Sequence, residues 1–114
     1  MAKRKQRRAR QAAPTSEYTD PDGNVLVLRQ ELSRSSVRKI GERPTSAAAS
    51  IEDAWARREE MLFERLAVSW TIAGMPLDDQ GMLLGRYRMA SAVERRWVRE
   101  TIASHLERFI PELA

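Results

Sequence analysis

The chain has 114 residues, 32% of them charged and 42% apolar, with a formal net charge of +4. That length supports one modest domain with a small core, and no apolar run approaches the ~18–20 residues that span a bilayer. With no cysteine and a single histidine, disulfides, thiolate zinc sites and cysteine nucleophiles are excluded, and a cytoplasmic location is the expectation.

The charge is unevenly spread. Residues 1–13 carry Lys3, Arg4, Lys5, Arg7, Arg8 and Arg10 and no acid, whereas residues 14–114 hold 14 basic and 16 acidic groups. The basicity therefore belongs to a tail, placed at 1–16, which has nothing apolar to bury and is expected to be disordered. No apolar stretch follows its charges, so it is not a secretory signal. Its composition fits a mitochondrial transit peptide, but its spacing forms no clear amphipathic helix. Its six cations suit nucleic-acid phosphates or an acidic protein surface, or serve only as a solvated tail.

One α-rich domain is expected over 17–114. Asp20-Pro21-Asp22-Gly23-Asn24 is dense turn chemistry, and Val25-Leu26-Val27-Leu28 behind it reads as a strand, which predicts a hairpin over 17–29. Ser33 is a cap for a short helix to Gly41, with Leu32, Val37 and Ile40 as its apolar face. Residues 42–50, with Pro44 and several alanines, read as a linker.

Ser50-Ile51-Glu52-Asp53 resembles a capping box. From there Ile51, Trp55, Leu62, Leu66, Trp70 and Ala73 fall within about 100° of arc, which predicts a helix over 51–73 stopped by Gly74 and Pro76. Glu59 lies inside that stripe and requires a partner or a path to water. A second helix is predicted over 78–89, with Met82, Leu83 and Tyr87 inward. Ser91-Ala92-Val93-Glu94 is a full capping box and opens a third helix over 92–110, which carries Val93, Trp97, Val98, Ile102, Leu106 and Phe109.

Little here reads as catalytic chemistry. Asp78-Asp79 and Glu59-Glu60 are adjacent helical pairs whose side chains diverge, so neither forms an acid–base couple. His105 has no second histidine and no metal-ligand spacing, so a hydrogen-bonded structural histidine is its default reading. Trp55, Trp70 and Trp97 read as core, with the alternative that one is half exposed and anchors a partner. Arg86, Arg88, Arg95, Arg96 and Arg99 cluster, but acids dilute them and few side chains suited to base edges accompany them. No catalytic residue, metal or cofactor is expected.

The segment 62–106 is similar to small tail-assembly proteins of phages and of phage-derived contractile injection particles. The residues that carry the likeness are Trp70, Pro76-Leu77-Asp78, Leu83-Leu84 and Glu94-Arg95-Arg96-Trp97-Val98. The opening Asp22-Gly23-Asn24-Val25-Leu26-Val27-Leu28-Arg29 also resembles the Asp-Gly hairpin of tail assembly chaperones. The family usually lacks so basic an N-terminal tail. The resemblance implies a non-enzymatic factor that binds the helical tape-measure protein, or another tail component, and keeps it soluble during assembly.

The sequence thus predicts a mostly α fold: three packed helices, a short N-terminal β-hairpin and a basic tail. Its expected partner is a protein, with nucleic acid as an alternative through the tail and no membrane. The expected partner surface is Met75, Leu77, Met82, Leu83, Leu84 and Met89, because flexible thioethers adapt to varied shapes.

Overall fold

The computed structural model of the chain describes residues 13–42 and 51–114. The tail cations Lys3, Arg4, Lys5, Arg7, Arg8 and Arg10, most of the expected linker and the Ser50 cap lie outside the described residues. In chain order the elements are β1 (Thr15–Thr19), β2 (Val25–Arg29), α1 (Arg34–Gly41), α2 (Ile51–Leu66), β3 (Ala67–Ile72), β4 (Met75–Leu77), α3 (Gln80–Arg88) and α4 (Ala92–Phe109). A 3-10 turn, Pro111–Leu113, follows α4.

The expectation of a mostly α fold is overturned. The four strands form one antiparallel sheet in the order β1-β2-β3-β4, so the fold is α+β, with the helices gathered on the apolar face of a sheet. The expected helix over 51–73 is a helix only as far as Leu66, and its last seven residues belong to a hairpin. Leu66 ends α2 and Ala67 begins β3 without a loop. The Arg29 guanidinium donates to the carbonyls of Arg65 and Ala67 at 3.1 and 3.3 Å, which supplies a partner for a carbonyl that the helix end leaves free. Ala73 and Gly74, with φ of 51° and 79°, make the two-residue turn to β4. Positive φ at both central positions is what a tight right-twisted hairpin requires. Pro76 therefore sits in an edge strand, where its missing N–H costs no ladder bond, and does not act as a helix stop.

The first hairpin begins at Thr15, two residues earlier than expected, so Thr15 and Ser16 belong to the sheet and not to the tail. The Asp20 carboxylate accepts from the N–H groups of Asp22 and Asn24 at 2.8 and 2.9 Å, and Gly23 takes φ 86°. Asn24 also reaches the second hairpin, where its Oδ1 accepts from the Ala73 N–H at 3.0 Å. Between β2 and β3 the register shifts at Val27/Leu28, leaving Val68 as an extra residue on β3.

The alternation along β2 sends Leu26 and Leu28 into the core, where both are fully buried. Leu26 pairs with Trp70, which pairs onward with Leu77. Phe63 from α2 meets the Trp70 ring edge-on at 5.7 Å and stacks on Tyr87 of α3 at 4.6 Å. Ile40, Leu62, Leu66, Ala67, Leu83, Val98, Ile102, Leu106, Ile110 and Leu113 complete the buried cluster.

Two predicted caps have the expected geometry. The Ser33 hydroxyl accepts from Ser36 N–H, and Ser91 and Glu94 exchange both bonds of a capping box. α3 starts later than expected, with Asp79 as its cap.

A candidate partner-binding cleft

α2 turns Trp55, Arg58, Glu59 and Leu62 to one side, the spacing of a single helix face. α4 answers with Arg99, Ile102, Ala103, Leu106 and Glu107, spaced the same way. Leu113 and Ala114 close one end and Tyr87 contributes from α3, so these side chains line a cleft of about 230 Å³. Pro111 turns the chain after α4 and lets Leu113 fold back onto the helices. Leu62, Ile102, Leu106 and Leu113 are buried side chains that form an apolar floor, whereas Trp55 is 57% exposed.

Most of the polar groups around that floor are partnered within the chain, whereas Glu107 stands exposed on α4. Glu59 meets Arg99 at 2.7 Å, which answers the question its place in the apolar stripe raised. Arg58 donates to the Leu113 carbonyl at 2.5 Å and lies over the Trp55 ring at 5.9 Å. Burial, and then the Glu59 charge, push the Tyr87 phenol above the ordinary tyrosine range. The cleft therefore offers an apolar surface with a largely paired rim, on which Glu107 is the exposed acid. It is smaller than a typical cofactor pocket of roughly 300–1,000 Å³, and its size suits a few apolar side chains of another protein. Among the described residues no cluster of acids or histidine has the grouping of a metal site, and no helix is long and apolar enough to cross a membrane.

The surface expected at Met75, Leu77, Met82, Leu83, Leu84 and Met89 is not one surface. Met75, Met82 and Met89 are exposed, but Leu83 is buried in the core, and Leu77 and Leu84 are half-buried against it. The Asp79 cap sets the register of α3 so that Leu83 and Tyr87, four apart, face inward together. Met82 then lies about 100° away, toward solvent.

Of the three tryptophans, Trp70 is core and Trp97 packs partly against it, leaving Trp55 as the exposed one. Sequence reasoning did not find Leu113 or Ala103; an apolar residue just behind Pro111 was the available signal for the first. The arginine cluster is largely occupied. Arg86 pairs with Glu94 at 2.5 Å, Arg88 with Glu60 at 3.0 Å and Arg99 with Glu59, while Arg95 donates to the Arg88 carbonyl. The Ser91 N–H, and then Arg86, hold the Glu94 carboxyl below the usual range. His105 lies outside the cleft, 1% exposed.

Comparison of the chain with models of known protein families, with curated proteins and with solved structures returns no match. Fold and site together define a small α+β domain with an apolar interhelical cleft.

Proposed function

We propose that the chain is a non-enzymatic assembly chaperone or adaptor for a phage-type tail, and that it seats an apolar helical segment of a tail or tape-measure protein in the Trp55 cleft. One observation carries the reading. A large aromatic side chain stands exposed at the mouth of an apolar cleft whose rim charges Arg58, Glu59 and Arg99 are engaged within the chain. Tryptophan is enriched among the residues that dominate protein interfaces, and rim charges engaged within the chain leave the apolar floor to make the contact. The walls are two helices, so a third helix can lay an i, i+3/i+4, i+7 stripe between them. The resemblance over 62–106 supplies the tail context. The test is co-expression with candidate tail-tube and tape-measure proteins. One of them is expected to stay soluble only in its presence, and insolubility of every such client with and without the chain contradicts the proposal.

A second reading rests on the six cations of residues 1–13 set against a near-neutral remainder. Such a segment binds nucleic-acid phosphates without sequence preference and with a steep salt dependence. The two readings separate by deletion of the tail, which leaves client binding intact in the first and removes all binding in the second.

A further inference from the structure

α4 carries the chain's single histidine, and both of its ring nitrogens are engaged by strands. Nε2 of His105 lies 2.7 Å from the Arg29 carbonyl oxygen at the end of β2, and Nδ1 lies 2.6 Å from the Tyr18 hydroxyl on β1. A carbonyl oxygen only accepts, so Nε2 carries the ring proton and donates it. Nδ1 is then bare, and the Tyr18 hydroxyl donates to it. The Tyr18 ring stands edge-on to the imidazole at 5.5 Å and 83°, and Phe109 lies against it at 4.9 Å. The contact spans 87 positions of sequence and fastens the first hairpin to the C-terminal half of α4.

Among the described residues, the groups that face this ring include no counter-charge for a second proton. From β1 the group is the Tyr18 hydroxyl. Glu17 alternates to the opposite face of the sheet and is exposed. From β2 it is the Arg29 carbonyl, the Arg29 guanidinium being turned to the Arg65 and Ala67 carbonyls. Glu31, just beyond β2, is exposed. From α4 the charged neighbour is Arg108, one turn on.

We infer that Tyr18, His105 and the Arg29 carbonyl form a proton-operated clasp, which holds β1 on α4 while the ring is neutral and releases β1 when the ring takes up a proton. The incoming proton, supplied by solvent, binds Nδ1, so the Tyr18 hydroxyl must turn its own proton away and accept from the ring instead. The new imidazolium is then buried beside Arg108, and among the described residues no carboxylate faces it. Opening lets the imidazolium reach water. β1 yields first because it is an edge strand, paired only to β2 and alternately exposed along its length. β2 is paired on both sides and anchored by Leu26 and Leu28.

Burial first, and Arg108 as well, lower the His105 pKa below its ordinary value, against the opposing pull of the Arg29 carbonyl. The open form therefore binds the proton more tightly than the closed one. The clasp is at full strength above the ordinary histidine range near 6.5 and weakens as pH falls below it.

Because the full chain has one histidine, its imidazole NMR signals are unambiguous. The experiment is a titration of ring nitrogen and proton shifts from about pH 8 to pH 5, the window that brackets the ordinary histidine value, with amide hydrogen exchange followed at both ends. The expected result is an Nε2–H tautomer at neutral pH and a midpoint below 6.5. After correction for intrinsic rates, exchange at the β1–β2 ladder should accelerate at least about tenfold more than exchange in α4. Tyr18→Phe keeps the histidine but removes the hydroxyl, and is expected to give fast β1 exchange already at neutral pH, with little further change on acidification. An Nδ1–H tautomer, a midpoint at or above the ordinary value, or acceleration of β1 and α4 in step would overturn the clasp. So would a Tyr18→Phe protein whose β1 responds to pH as the native chain does.

Discussion

Glu59 on α2 and Arg99 on α4 meet at 2.7 Å across one wall of the cleft and link the two helices that line it. Arg99 is 55% exposed and Glu59 30%, so solvent screens most of the attraction and the bond is worth about 0.5 kcal/mol. Arg99→Ala is expected to lower Tm by only about 2–4 °C, readable by calorimetry, while weakening client binding. Glu59→Gln should bring the Tyr87 phenol back toward its ordinary range, because the carboxylate is one of the groups that raise it. Ultraviolet titration of the tyrosines reads that shift.

Trp70 separates two energetic effects. Its indole is 1% exposed, so Trp70→Ala should cost about 3–5 kcal/mol, close to the whole stability of a small domain. Its Nε1 is buried without an acceptor among the described residues, and an unmet donor costs about 1–3 kcal/mol. Trp70→Phe removes that donor along with some volume, and is expected to cost less than about 1.5 kcal/mol. Urea unfolding of both variants checks the pair.

Ala73 adopts φ 51° with a side chain that disfavours it. Asparagine tolerates that region, and Asn-Gly is the preferred pair for this turn. Ala73→Asn is expected to raise stability by about 0.5–1 kcal/mol. A fall in the urea midpoint would place a different conformation at this turn.

Local chemistry made the first turn and two of the caps legible. Asp20, Gly23, Ser33, Ser91 and Glu94 act within a few residues of themselves, and each does in the structure what its neighbours in sequence require. The error at residues 67–73 has a different origin. Leu62, Leu66, Trp70 and Ala73 satisfy a helical period, but Val68, Thr71 and Ile72 are β-branched and favour a strand. The decision falls to pairing with Val25, Leu26 and Val27, some forty residues away, which no local window contains. The expected surface was divided by packing that no local window contains. Leu83 packs inward while Met75, Met82 and Met89 stay exposed, and Trp55 gains an apolar setting from Ile102, Leu106 and Leu113, which come from the far end of the chain.

Deletion of residues 1–12 is expected to leave Tm unchanged, because among the described residues the buried cluster runs from Leu26 to Leu113. Binding to generic duplex DNA at low salt should be lost. In the full chain the logarithm of affinity should fall with the logarithm of salt at a slope of about −5, as six phosphate contacts imply. Retained binding after deletion would move the contact to Arg96 and its neighbours on α4.

The most direct test of the central claim compares the native chain with Trp55→Ser in co-expression with the tail or tape-measure client. Trp55 is 57% exposed, so the substitution should leave stability within about 0.5 kcal/mol of the native value. The expected result is a variant that melts normally and leaves the client insoluble, with Ala103→Arg, which fills the cleft from an exposed helix position, giving the same loss. A client that stays fully soluble with both folded variants contradicts the account.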